Sequence, residues 1–339
     1  MLCRRFVLVL MLLGMAAAAA TPQRKPNLRG EVMILVYHNF GPQDARWTRS
    51  FSSFTQDLGR LDAAGYRPIT LRQYVSGDFQ LPEGTTPVVL TFDDGSKYQM
   101  RYTASGELDP ESAVGQWVAF ARAHPEFPVH GTFFVNAGTD VFGQRAFIQK
   151  KLQKLVALGS EIGNHTWDHA NLAKLTPPAI EREVGLDQMQ IDRWLPGYRM
   201  TSLALPFGVA PHDDQLVVQA AWKAERWDYS AVVLVGSGPA ASPLIAGLRT
   251  AHLPRIQVFT PEFNKWMGYF TRYPSRRFVS DGHRHAPGSL PRLTGAGPGV
   301  AAPRHPLDAR PGWGPREPQP SRVRAQRRGP RVRPRTAIY

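Results

Sequence analysis

Two hydrophobic rhythms alternate along the chain between residues 32 and 235. Short apolar runs at 32–37, 88–92, 129–135, 203–205 and 230–235 are rich in β-branched and aromatic residues and read as buried strands. Between them, apolar residues return every three or four positions. Phe54, Leu58 and Leu61 share one face, after Ser50, Ser52 and Ser53 as candidate caps and before Gly65 as a stop. Asp109-Pro110 opens a second stripe of Val114, Trp117, Val118 and Ala121, which Pro125 closes. Ile148, Leu152, Leu155 and Val156 form a third stripe, ended by Gly159. Ile180, Val184, Ile191 and Leu195 form a fourth, started by Thr176-Pro177-Pro178. One more helix is expected near 214–224. Strands separated by helices predict right-handed βαβ units on a parallel sheet, closed or open, in which chemistry gathers at the C-terminal ends of the strands.

Those ends carry the candidate chemistry. The run Val88-Val89-Leu90-Thr91-Phe92 stops at Asp93-Asp94-Gly95, two adjacent carboxylates before a residue that turns the chain. Asp-Asp-Gly is also a common turn, so by itself the pair is ambiguous. A second feature, Glu161-Ile162-Gly163-Asn164-His165-Thr166-Trp167-Asp168-His169, sets two histidines four apart, which on a helical turn places both imidazoles on one face. Two imidazoles and one carboxylate make a facial set that leaves positions on a divalent metal open for water and substrate. On an extended backbone, Asp93 and Asp94 point to opposite sides and can take different roles. No glycine-rich phosphate loop follows any strand, so nucleotide binding has no support.

With these motifs the chain resembles the polysaccharide deacetylases of carbohydrate esterase family 4, the NodB-homology domain. Thr91-Phe92-Asp93-Asp94-Gly95, His165-Thr166-Trp167-Asp168-His169 and Leu205-Pro206-Phe207-Gly208 are similar to the family's first three motifs. Tyr37-His38, Gly65-Tyr66-Arg67-Pro68-Ile69-Thr70 and Gly131-Thr132-Phe133-Phe134-Val135 resemble its framework. The likeness is greatest to the branch acting on poly-N-acetylglucosamine. It implies an α/β fold, a distorted (β/α) barrel of about seven parallel strands spanning 31–282. It also implies a hydrolase that removes N-acetyl groups from an N-acetylglucosamine polysaccharide of the envelope or extracellular matrix.

In that reading Asp94, His165 and His169 hold one divalent ion, zinc, cobalt, nickel or iron. Asp93 is the general base, and the Phe207 backbone N–H is the oxyanion donor. Trp167, Pro206 and His38 contact the sugar. Two departures stand out. Many members carry, where this chain has Ala204, an arginine that orients the base, so that partner is expected to be missing. The family's late Leu-x-His motif, whose histidine is the general acid, has no clear counterpart. His252 is the candidate acid, with His212 and His38 behind it. Two other readings stay open: a carbohydrate-binding protein of this fold without catalysis, and a metal-dependent amidase for a small substrate.

Composition changes the picture at the two ends. Arg4 and Arg5 precede an apolar run from Phe6 to Met15 and a small-residue stretch to Ala20, which reads as a secretory signal over 1–20. A secreted, periplasmic or cell-surface protein with no membrane span after cleavage is therefore expected. The one cysteine, Cys3, lies within that signal, so no disulfide supports the mature chain. Residues 21–30 read as a polar linker. The net charge of +14 points toward nucleic acid at first, but residues 283–339 hold 12 arginines, 11 prolines and only 2 acids. The preceding part is nearly neutral, which removes the nucleic-acid reading. The tail reads as disordered, and either as a genuine basic segment for anionic envelope polymers or as the product of a shifted reading frame in a GC-rich gene.

Overall fold

The computed structural model describes residues 24–291. The expected signal at 1–20 and the tail from residue 292 onward lie outside them. Chain order is β1 (Met33–Tyr37), β2 (Asn39–Gly41), β3 (Thr48–Ser50), α1 (Phe51–Ala63), β4 (Tyr66–Ile69), α2 (Leu71–Ser76), β5 (Thr86–Phe92), α3 (Ala113–Ala123), β6 (Thr132–Val135) and α4 (Ile148–Ala157). It continues through β7 (Glu161–Asn164), α5 (Pro177–Trp194), β8 (Ser202–Ala204), α6 (Gln215–Val218), β9 (Gln219–Trp222), β10 (Glu225–Asp228), β11 (Ala231–Val233), β12 (Ile256–Gln257) and α7 (Thr260–Arg272).

The main sheet is parallel and runs β11-β8-β7-β6-β5-β1-β12. β4 shares one edge of β5 with β6, pairing with Thr86–Val89 while β6 takes Thr91 and Phe92. The sheet therefore has seven positions, as expected. A parallel bridge between Val233 and Leu253 links β11 to the segment leading into β12, so the sheet curls toward closure.

Strand alternation sorts the side chains into two sets. Met33, Leu35, Tyr37, Val88, Leu90, Phe92 and Phe133 belong to the core shared with Phe54, Leu58, Trp117 and Leu152 of the covering helices. Ile34, Val89, Phe134, Ala204 and Val233 pack together inside the curl, and Leu71 and Tyr74 of α2 join them. Full burial of a large apolar side chain contributes about 1.5–3 kcal/mol, so both layers hold the strands in register. Gly163 is needed at the curl's centre, because a Cβ there would stand 2.5 Å from the Phe134 ring. Asp93 is in phase with Val89 and Thr91, and so faces the interior at the C-terminal mouth.

Four elements differ from expectation. The helix expected near 214–224 stops at Val218 and becomes the antiparallel β9–β10 hairpin, turned at left-handed Lys223. Gly185 of α5 lies directly under Trp222, so a close contact and not local propensity decides this segment. The second helix starts later than Asp109: Ser112 caps it by accepting from the Gly115 N–H, while Asp109 pairs with Arg101. The expected linker at 21–30 is packed from Asn27 on, which bridges Val279, and Gly30 lies against the Arg277 backbone. The packed region also continues past 282. Leu290 exchanges backbone hydrogen bonds with Leu244 and Ala246, both 2.8 Å, and Arg284 pairs with Asp78.

Candidate active site

β5, β7 and β8 each lead into a turn that ordinary helix or strand geometry does not provide. Asp94, Thr166, His169 and Phe207 all have left-handed backbone, with φ of 72°, 66°, 63° and 61°. They are four of the six non-glycine residues with positive φ among the described residues. Such strain is held only where surrounding structure compels it, and it clusters at sites that do chemistry. The helical turn expected for His165 and His169 is absent. A loop with two left-handed residues brings the rings together instead, at 4.8 Å between centroids. The two aspartates likewise diverge because Asp94 leaves the extended conformation, not because of strand alternation.

The result is a compact donor set. Ligand atoms of Asp94, His165 and His169 all lie within 4.8 Å of one another. Asp94 Oδ1 stands 3.4 Å from His165 Nε2 and 3.6 Å from His169 Nε2. The His165 Nδ1–H donates to the Ala204 carbonyl at 2.8 Å, which fixes the ring and turns Nε2 toward Asp94. Asn136 donates to the His165 and Thr166 carbonyls and supports the loop from below. Burial works against charge on Asp94, but the neighbouring imidazoles, led by His165, hold its carboxyl well below the usual range. One anionic oxygen and two imidazole nitrogens, converging at this spacing, fit a divalent ion of the zinc, cobalt, nickel or iron group.

Asp93 lies beside this set and is 1% exposed. Its Oδ2 is 4.0 Å from His165 Nε2 and 3.9 Å from His38 Nε2. The expected lack of an orienting partner is corrected here. Arg255 donates Nη1–H to Oδ1 at 2.7 Å and Nη2–H to Oδ2 at 2.6 Å, a two-pronged pair buried on both sides. Arg255 is itself fully buried, bonds Thr91 and the Leu234 carbonyl, and lies over the Phe134 ring. Burial would raise the Asp93 carboxyl, but Arg255 and then His165 outweigh it and hold the group below its usual value. Asp93 is therefore an anion with a fixed plane. No signal at Ala204 predicted this, since the arginine arrives 162 residues after Asp93 in the chain.

The remaining expected residues divide. His38 is in the site, its ring 4.7 Å from that of Trp47, and burial lowers its pKa despite the two nearby aspartates. The Phe207 ring covers His169 at 4.6 Å and is 48% exposed, and no protein acceptor takes the Phe207 N–H among the described residues. Pro206 is buried and shapes the turn, which leaves it no face for a sugar. Trp167 packs on Gly138, where a Cβ would come within 2.7 Å of its indole, so it is a wall of the core and not an open platform. His252 is not part of the site. Its Nε2 approaches Asp214 Oδ2 at 3.1 Å without hydrogen-bond alignment, and it makes no ion pair with Asp93 or Asp94.

Comparisons with known proteins agree with this geometry. The chain is 27% identical over 142 residues to the peptidoglycan-N-acetylmuramic acid deacetylase PdaC of Bacillus subtilis, a match spanning 42% of this chain and 25% of that protein's length. Among solved structures, the fold is shared with the deacetylase PplD of Streptococcus pyogenes in complex with acetate, at TM-score 0.51 and 19% identity over 72% of this chain and 98% of that one. IcaB from Ammonifex degensii is similar at TM-score 0.51 and 18% identity, over 73% and 97%. The sequence model described as polysaccharide deacetylase matches residues 81–225, a span holding Asp93, Asp94, His165, His169 and Phe207. Residues 81–225 thus match the sequence model of the polysaccharide deacetylase family, and the fold that carries them is shared with solved deacetylases.

Proposed function

We propose that the protein is a metal-dependent hydrolase that removes N-acetyl groups from an N-acetylglucosamine polysaccharide of the cell envelope or extracellular matrix. The observation that carries this reading is the convergence of Asp94, His165 and His169 beside a second carboxylate, Asp93, that is buried, ionised and held by Arg255. A divalent ion on the three donors lowers the pKa of water toward about 7 and polarises an amide carbonyl. Asp93 accepts the proton of the attacking water. Arg255 occupies one direction on each of its oxygens and leaves the others facing the donor set. The Phe207 N–H donates to the oxygen on which negative charge develops. His38, 3.9 Å from Asp93, is the imidazole assigned to take up that proton from Asp93 and pass it to the departing sugar amine.

Acetate release from N-acetylglucosamine oligomers tests the reading directly. Release that disappears with a chelator and returns with zinc, cobalt, nickel or iron is the expected result. Oligomer binding without release would favour a carbohydrate-binding protein of this fold. Release from small acetamides but not from oligomers would favour an amidase.

A further inference from the structure

Among the described residues, four large apolar side chains are exposed: Trp47, Val156, Phe207 and Tyr273. Two of them, Trp47 and Phe207, each touch an imidazole of the site. Ring and ion contacts form one row: Trp47 on His38 at 4.7 Å, His38 to Asp93 at 3.9 Å, Asp93 to His165 at 4.0 Å, His165 on His169 at 4.8 Å, and His169 on Phe207 at 4.6 Å. The row crosses the barrel mouth. Trp47 lies between β2 and β3, which follow β1, and Phe207 follows β8, and these two main-sheet strands are separated by β5, β6 and β7. The donors come from the ends of β5 and β7, between the two exposed rings.

The Trp47 platform is fixed in advance. Its carbonyl accepts from the Asn39 N–H at 2.9 Å, and the carbonyl of Arg46 accepts from the Gln257 side chain at 2.5 Å. Asp44 anchors the same loop to the Ser50 N–H at 2.6 Å and to Ser53 Oγ at 2.8 Å. Arg46 lies 5.7 Å from the indole centroid, and Trp47 still remains 43% exposed. An exposed ring on a backbone that is already fixed, and in contact with His38 and Arg46, loses little entropy on binding, which is the profile of a recognition surface. A hexopyranose presents a face of C–H groups that packs on such a ring.

We infer that Trp47 is a sugar-stacking platform, distinct from the scissile position, and that a polysaccharide lies across the mouth from Trp47 to Phe207 with one acetamide over Asp94, His165 and His169. The inference rests on the deacetylase reading and adds a direction and a recognition residue to it. Trp47 then acts on chains longer than one sugar. A small acetate ester, which needs only the centre, supplies the internal reference.

The test compares wild type, Trp47→Ala and Trp47→Phe on a chain-length series of N-acetylglucosamine oligomers and on a chromogenic acetate ester, with metal content measured for each. Trp47→Ala is expected to lower the ratio of long-oligomer to ester kcat/KM roughly threefold to tenfold, through KM, with Trp47→Phe recovering most of it. Equal losses on oligomer and ester, or an unchanged ratio, would overturn the inference. If wild type releases no acetate from any oligomer, the deacetylase reading has failed. Calorimetric binding of glucosamine oligomers then decides separately: weaker binding by Trp47→Ala upholds the platform, and equal binding rejects it.

Discussion

Asp93 and Arg255 depend on each other for more than orientation. Removing one member of a buried pair leaves an uncompensated charge, so Arg255→Ala is expected to cost about 3–5 kcal/mol in urea unfolding, and Asp93→Asn in that background should recover much of it. Asp93→Asn alone is expected to keep its metal by elemental analysis while acetate release falls about 100-fold or more. Asp94→Ala should lose both. A normal rate in the first variant would remove Asp93 as the base. A different carboxylate contributes to the pH dependence of stability. Burial, reinforced by Asp168, pushes Glu183 up to about 7, so its protonated form is the one the fold favours. Its stabilising contribution is complete at acid pH and is lost as pH rises through about 7. Glu183→Gln, which cannot ionise, should therefore gain melting temperature over wild type at pH 8 relative to pH 5. A difference that does not change with pH would contradict this.

At the scale of elements, the loops after β5, β7 and β8 do the positioning, and their packing is tight enough to test. A Cβ on Gly138 would meet the Trp167 carbonyl at 2.5 Å and its ring at 2.7 Å. Gly138→Ala is expected to shift the loop that carries His165 and His169 and to weaken zinc affinity about tenfold or more by competition titration. The strands and the donor residues were legible in sequence because both are local: one apolar run ends directly in Asp93 and Asp94, another stops just before Phe207, and the two histidines stand four apart in one short motif. The shape of the loops was not. Spacing of four suggested a helical turn, whereas Thr166 and His169 reach the same convergence through left-handed backbone. The β9–β10 hairpin was hidden for a related reason, since Ala220, Ala221 and Trp222 carry no rhythm and are placed by contact with Gly185. Arg255 precedes a strand of only two residues, too short to register as a pattern.

Over the whole molecule, the two ends of the packed region meet. Asn27 and Glu31 pair with Val279 and Arg277, and the Arg29 side chain donates to the Pro291 carbonyl at 2.9 Å. A chain ending after Pro291 is accordingly expected to melt several degrees above one ending after Gly282, because the shorter chain lacks Leu290 and Arg284 and their partners. Equal melting temperatures would mean that residues 283–291 add nothing. The late arrival of Arg255 has a temporal consequence. During synthesis every candidate ligand for the ion emerges by residue 169, yet Asp93 stays without its counter-charge for a further 86 residues. A nascent chain in that interval lacks the two-pronged contact that fixes the Asp93 carboxyl and contributes most to holding it below its usual value. Hydrolytic competence is accordingly expected to wait for Arg255 to dock, and a product terminated before that residue is expected to release no acetate.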